Sequence, residues 1–134
     1  MSDIHGNLIA LKKVLQKVRQ ESIAGVIMLG DLIDYGPSSN EVIELLSQIP
    51  NHLVYCNIWG NHEYSIMKDD YSGFSTDRGK ISARYTKNNL TDRSLEYINM
   101  MTRSGKKEFV VNGKKCLAIH GSLDDMYWKS IEPT

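Results

Sequence analysis

Val26-Ile27-Met28-Leu29 runs directly into Gly30-Asp31-Leu32-Ile33-Asp34-Tyr35-Gly36, and the fold reading turns on this stretch. Four apolar residues in a row read as a buried strand. A carboxylate at the tip of such a strand, with glycine before it, can point out of the sheet into a crevice. In open α/β folds that edge is where ligands bind.

Upstream, Leu8, Leu11, Val14, Leu15 and Val18 recur at helical spacing to about Gln20, with Asn7 placed as the N-cap. Downstream, Pro37-Ser38-Ser39-Asn40 opens a second helix, whose stripe is Val42, Ile43, Leu45, Leu46 and Ile49. Leu53-Val54-Tyr55-Cys56 reads as the next strand, and residues 57–63 as the loop after it. Residues 69–79 are polar and carry glycine, so a mobile loop is expected there, with 69–78 a candidate lid. Two short helices follow over 81–89 and 94–102, the second started by Thr91 or Asp92. Asn112-Gly113 between two strand-like runs predicts a hairpin, because a type I′ turn needs positive φ at both central residues. The alternation of helices and strands predicts an α/β layered fold and a single domain over 1–134.

Composition narrows the function classes. The formal net charge is zero, so there is no electrostatic case for nucleic acid or an acidic membrane surface. No apolar run approaches the roughly 20 residues that span a bilayer. Cys56 and Cys116 have neither CxxC spacing nor a disulfide framework, and read as free thiols in a reducing cytoplasm. Lys106, Lys107, Lys114 and Lys115 around the hairpin read as a solvated face.

Chemically able residues gather at the ends of the strand-like runs: Asp31, then Asn61, then His120, with Asp3 and His5 completing the pattern. Taken singly, each has an ordinary explanation. Asp31 suits a helix cap, Gly60-Asn61-His62-Glu63 a tight turn, and His120 a core histidine. Together they predict a metal centre. Two divalent cations about 3.5–4 Å apart hold the attacking and leaving oxygens of an in-line phosphoryl displacement. Such a pair needs a shared carboxylate, the role expected of Asp31. Mixed imidazole, carboxylate and amide ligands suit Mn, Fe, Co, Ni or Zn better than Mg or Ca. A bridging water would supply hydroxide near neutral pH. His62 is placed to protonate the leaving oxygen or steady developing charge. Asp34 is expected to order the loop behind the ligands. Tyr35 is a candidate pocket residue, and Trp59 is open between lining a pocket and packing in the core.

Asp3-Ile4-His5-Gly6-Asn7, Gly30 to Gly36, Gly60-Asn61-His62-Glu63 and His120-Gly121-Ser122 resemble the motifs of the calcineurin-like metallophosphoesterases. Residues 34–42 and 120–128 also resemble the small bacterial and archaeal phosphodiesterase branch. The resemblance implies a four-layer α/β/β/α sandwich. It implies Asp3, His5 and bridging Asp31 on one metal, and Asp31, Asn61 and His120 on the other. It implies His62 as the catalytic histidine, two transition-metal ions with manganese the foremost choice, and a small phosphoester, especially a phosphodiester, as substrate. The family also has an apolar strand before its first Asp and a Gly-His-X-His motif near its end. Here only Met1 and Ser2 precede Asp3, and the sequence stops at Thr134 without that motif. The expectation is therefore a piece of a longer protein, or a chain that self-associates through open sheet edges. The competing expectation is a non-catalytic scaffold or inactive fragment of the same fold.

Overall fold

Strands β1 (Val26–Met28) and β2 (Val54–Asn57) pair in parallel, with Val26 opposite Val54 and Met28 opposite Asn57, in a computed structural model that describes residues 1–129. Residues 1–3 run along the other side of β1. The Met1 ammonium donates to the Ile27 carbonyl at 2.7 Å, Leu29 N–H to Met1 at 2.9 Å, and Asp3 N–H to Gly30 at 3.2 Å. Beyond β2, Thr102 bonds the chain at Asn57 and Trp59 (2.9 and 3.0 Å). Three chain segments thus end side by side at one edge.

The period of two along β1 divides the interior. Val26 and Met28 join the main core, while Ile27 and Leu29 face a smaller cluster with Cys56, Ile58, Ala118 and Phe109. The smaller cluster seats the antiparallel hairpin of β3 (Lys106–Val111) and β4 (Lys114–Ile119), joined through Asn112-Gly113, both at positive φ. The main core takes the helices: α1 (Leu8–Gln20), α2 (Ser39–Ser47), α3 (Asn61–Lys68), α4 (Asp77–Asn89) and α5 (Asp92–Met100). Leu11, Leu15, Val42, Ile43, Leu46, Ile66 and Ile98 are buried there. Helices, parallel sheet and hairpin stack as layers of an α/β fold, and Val110 and Leu117 on the outer hairpin face are exposed. No helix among the described residues is long and apolar enough to cross a membrane.

Helix starts follow the side chains. Asn7 Oδ1 accepts from Ala10 N–H at 3.0 Å, Thr76 Oγ1 from Gly79 N–H at 3.1 Å, and Thr91 Oγ1 from Ser94 N–H at 3.2 Å. Two segments depart from the sequence expectation. Residues 57–63 are not all loop, because α3 begins at Asn61. Its buried face is His62, Glu63, Ser65 and Ile66, mostly polar, so no apolar period announces it. Residues 69–79 are not a bare polar loop either. Tyr71 and Phe74 are buried, and α4 has begun by Asp77. Helix α4 was legible only from Ile81, yet Ile81 is exposed and the buried positions are Gly79, Ala83 and Thr86.

Glu63 ties the two central loops together. It is fully buried, and its Oε2 accepts from Asp31 N–H and Gly60 N–H, both at 2.8 Å. Its Oε1 accepts from Leu32 N–H at 2.8 Å and Ile33 N–H at 3.4 Å. All four partners are donors, so the ionised carboxylate is the form the geometry fits. The loops also meet at glycines. A Cβ on Gly30, whose φ is +86°, would lie 2.1 Å from Gly60 N, and a Cβ on Gly60 would lie 2.1 Å from Asp31 Oδ1. Any side chain at either position would push the loops apart.

Glu63→Gln places an NH2 group against two backbone donors. It is expected to cost about 3 kcal/mol of folding free energy or more. A denaturation midpoint unchanged by the substitution would contradict this role for Glu63.

Candidate functional site

Backbone strain concentrates where the loops meet. Asp3, His5, Asp31, Asp34 and Tyr35 all have positive φ, between 47° and 73°. Aspartate and histidine tolerate this region better than most residues, but five such positions within two short loops mark a place where geometry is imposed. The first loop is zipped onto the second by His5 N–H to Asp31 O (2.9 Å), Gly6 N–H to Leu32 O (3.0 Å) and Gly36 N–H to His5 O (2.9 Å).

The buried Asp31 carboxylate lies at the centre. Its Oδ1 accepts His62 N–H at 3.0 Å, the first turn of α3 supplying a donor with no partner within the helix. Its Oδ2 faces two imidazoles, 3.6 Å from Nε2 of His5 and 3.5 Å from Nε2 of His120. Each of those rings is turned by a main-chain carbonyl. His5 Nδ1 lies 3.3 Å from Ile33 O, and His120 Nδ1 2.6 Å from Leu29 O. A carbonyl only accepts, so Nδ1 carries a proton in both rings, and Nε2 is the nitrogen turned toward Asp31, where a metal ion would take the place of any proton it carries.

The remaining ligand candidates fall on opposite sides of Asp31. Asp3 Oδ1 is 3.7 Å from His5 Nε2, and Asn61 Oδ1 is 2.9 Å from His120 Nε2. The structure therefore brings Asp3, His5, Asp31, Asn61 and His120 together. One ligand atom from each of His5, Asp31 and His62 also lies within 4.8 Å of the others, a group able to hold a metal ion.

The electrostatics favour added positive charge. Burial pushes the Asp31 carboxyl up, but contact with His120 and the charges of His62 and His120 outweigh it and hold it below the ordinary range. Burial pulls the His120 imidazole down, and Asp31 reverses this, raising it to about 9. Burial and then the charge of Asp31 push Glu63 up, against the pull of its backbone donors. Two imidazoles with Nε2 turned inward, two carboxylates and an amide oxygen form a donor set that fits divalent transition metals.

Asp34 faces away from this pair. Its Oδ2 lies 2.8 Å from Nδ1 of His62, and its Oδ1 accepts from Ser82 Oγ at 2.6 Å and Thr86 Oγ1 at 2.8 Å. Burial pushes its carboxyl up, while hydrogen bonds from His62, Ser82, the Tyr35 backbone and Thr86 bring it below the ordinary range. Tyr35 is exposed at the mouth, its ring 5.0 Å from His5 and 4.5 Å from His62. Phe74 backs His62 edge-on at 5.0 Å. Trp59, a pocket candidate from sequence, is instead buried in the core, with its indole N–H bonded to Ile98 O at 2.8 Å. Glu63, Phe74, Ser82 and Thr86 carried no sequence assignment. Only Glu63 left a signal: a glutamate three residues after a helix-starting glycine, the acidic half of a capping box.

Comparison with known proteins places the chain. It is 29% identical over 122 residues to an uncharacterized protein of Methanocaldococcus jannaschii, a match covering 91% of this chain and 48% of that one. It is 30% identical over 124 residues to the symmetrical bis(5'-nucleosyl)-tetraphosphatase of Baumannia cicadellinicola, covering 92% of this chain and 41% of the relative. The chain thus spans about half the length of the curated relatives it matches. In fold it is similar to a metallophosphoesterase crystal structure from Sphaerobacter thermophilus, with TM-score 0.69, 24% identity, and coverage of 98% of this chain and 48% of that one. A hypothetical protein from Pyrococcus horikoshii gives TM-score 0.79 at 21% identity, covering 99% of this chain and 57% of that one. With a family model matching residues 1–133, the chain belongs to the calcineurin-like phosphoesterase family.

Proposed function

We propose that this chain carries a two-metal centre for hydrolysis of phosphate esters, with phosphodiesters preferred. One observation carries the reading. Oδ2 of Asp31 stands between Nε2 of His5 and Nε2 of His120, at 3.6 and 3.5 Å, with a further oxygen ligand beside each imidazole. Asp3 and His5 would hold one ion, Asn61 and His120 the other, and Asp31 both. Manganese is the proposed native metal. Divalent ions there would supply Lewis-acid stabilisation of the phosphoryl group and an acidified water.

The protein's own groups do the rest. Glu63 and the Gly30–Gly60 contact fix the distance between the two ligand sets. His62 is the proposed proton donor to the leaving oxygen. Its Nδ1–H is committed to Asp34, so the proton given to the leaving oxygen is the one on Nε2 of the imidazolium, and its transfer leaves His62 as the neutral Nδ1–H tautomer. Tyr35, exposed beside His62 and His5, would bear on the organic part of the ester. Support for ester or anhydride chemistry also comes from the tetraphosphatases among the similar proteins, at 26% and 30% identity.

Asp31→Asn is expected to lose metal, read by elemental mass spectrometry, and to abolish turnover of bis(p-nitrophenyl) phosphate. Retention of both ions would end the shared-carboxylate reading. His62→Ala is expected to keep the metal content of the parent protein while turnover falls about 10²–10⁴-fold. Loss of metal in that variant would make His62 a ligand and not the proton donor. Parallel assays with p-nitrophenyl phosphate and a dinucleoside tetraphosphate decide between monoester, diester and anhydride preference.

A further inference from the structure

Helix α4 reaches the site at two points, four residues apart and therefore on one face. Ser82 Oγ and Thr86 Oγ1 both donate to the same oxygen, Oδ1 of Asp34, at 2.6 and 2.8 Å. Asp34 is fully buried and Thr86 nearly so. Nothing in the packing demands hydroxyls here. The neighbouring buried positions on α4 are Gly79 and Ala83, and an apolar side chain of similar volume would fill the place of Thr86. The hydroxyls have one shared partner, and that partner's other oxygen holds His62.

A carboxylate can rotate about its Cβ–Cγ bond. Two donors on Oδ1 remove that freedom, and Asp34 N–H, donated to Ser39 Oγ at 3.0 Å, fixes the backbone beneath it. With Oδ1 saturated, Oδ2 is left to accept from His62 Nδ1. Nδ1–H then stays on Asp34 in both forms of the imidazole: the imidazolium presents Nε2–H to the leaving oxygen, and the neutral form left after the transfer is the Nδ1–H tautomer.

We propose that Ser82 and Thr86 are positioning residues for His62: their hydroxyls lock the Asp34 carboxylate, and through it set which imidazole nitrogen is free to meet the leaving oxygen. The claim rests on the role given to His62 above. It assigns α4, a segment without ligands of its own, a part in the chemistry.

The test uses Ser82→Ala, Thr86→Val and Thr86→Ser in the metal-loaded protein, with His62→Ala and Asp34→Asn as references. Thr86→Val keeps shape and removes the hydroxyl; Thr86→Ser keeps the hydroxyl. Thr86→Val and Ser82→Ala are each expected to lower kcat on bis(p-nitrophenyl) phosphate about tenfold, the range seen when an orienting partner behind a functional histidine is removed. KM and metal content should stay unchanged, Thr86→Ser should restore most of the rate, and neither loss should appear in an Asp34→Asn background. In the metal-free protein, long-range 1H–15N spectra should show His62 as the Nδ1–H tautomer, and a mixed population in the Ser82→Ala/Thr86→Val double variant. Equal loss in Thr86→Ser and Thr86→Val would reduce the role of Thr86 to packing and overturn the proposal. So would an unchanged tautomer in the double variant. Full activity in His62→Ala would sink the proton-donor role itself, and the tautomer measurement would still report separately on the lock.

Discussion

The Glu63 carboxylate, buried without a cationic partner, is the constraint under which the site is assembled. An ionised group in that position is stable only if its lone pairs are filled, and backbone N–H groups from two loops fill them. Satisfying one group thereby fixes the spacing of two segments thirty residues apart in sequence. The same helix turn that carries Glu63 also presents the His62 N–H to Asp31 Oδ1. The loop bearing the central carboxylate and the helix bearing Asn61 and His62 cannot shift independently. Glycine at positions 30 and 60 is the steric condition for this closeness, because a single Cβ at either would occupy space now held by the other loop.

This arrangement is costly in isolation. Five non-glycine residues around the site hold left-handed backbone, and Asp3, Asp31, Asp34 and Glu63 bring four carboxyl groups into one small region. Charge repulsion is relieved in three ways. Backbone donors surround Glu63, hydroxyls and an imidazole surround Asp34, and only Asp31 and Asp3 are left facing imidazoles. The upward displacement of His120 to about 9 expresses the same imbalance, a place that draws positive charge toward Asp31. Strain and unbalanced charge persist in a fold when the surrounding core over-determines them, and here Met28, Leu32, Ile33, Trp59 and Ile66 pack directly behind the loops.

The elements legible in the sequence are those whose buried face is apolar. Helix α1, strand β1 and helix α2 show it, through Leu11 and Leu15, Val26 and Met28, and Val42 and Leu46, while the hairpin was legible from its Asn112-Gly113 turn. The start of α3 and the first turn of α4 were not legible for the opposite reason. Their inward faces are spent on His62, Glu63, Gly79 and Thr86, so periodicity has nothing apolar to register. The site residues at strand ends stood out because glycine flanks them. Ser82 and Thr86 did not, since serine and threonine in a helix look like ordinary solvent-facing residues until their partner is known. Trp59 was left open between pocket and core, and the core is where it lies. An aromatic next to Gly60 suggests a pocket wall, but its indole N–H finds a carbonyl inside the core.

Asp31 and Asp34 show how far environment, and not residue type, decides a role. They sit three residues apart in one loop, both with positive φ and both buried. The sequence reading expects Asp31 as a ligand and Asp34 behind the loop, and the structure supplies the physical basis for the difference. A carboxylate offers about four acceptor positions. On Asp34 four donors take them: His62 on one oxygen, Ser82 and Thr86 on the other, and the Tyr35 backbone N–H, with no oxygen left facing His5 and His120. On Asp31 one backbone N–H takes Oδ1, and Oδ2 meets only nitrogens at 3.5 Å or more, too long for strong hydrogen bonds and open to a cation between them. Counting lone pairs thus separates the two: the saturated carboxylate has no acceptor position left for an ion, while Oδ2 of the unsaturated one stays open to it, and the proposed division of labour rests on that difference.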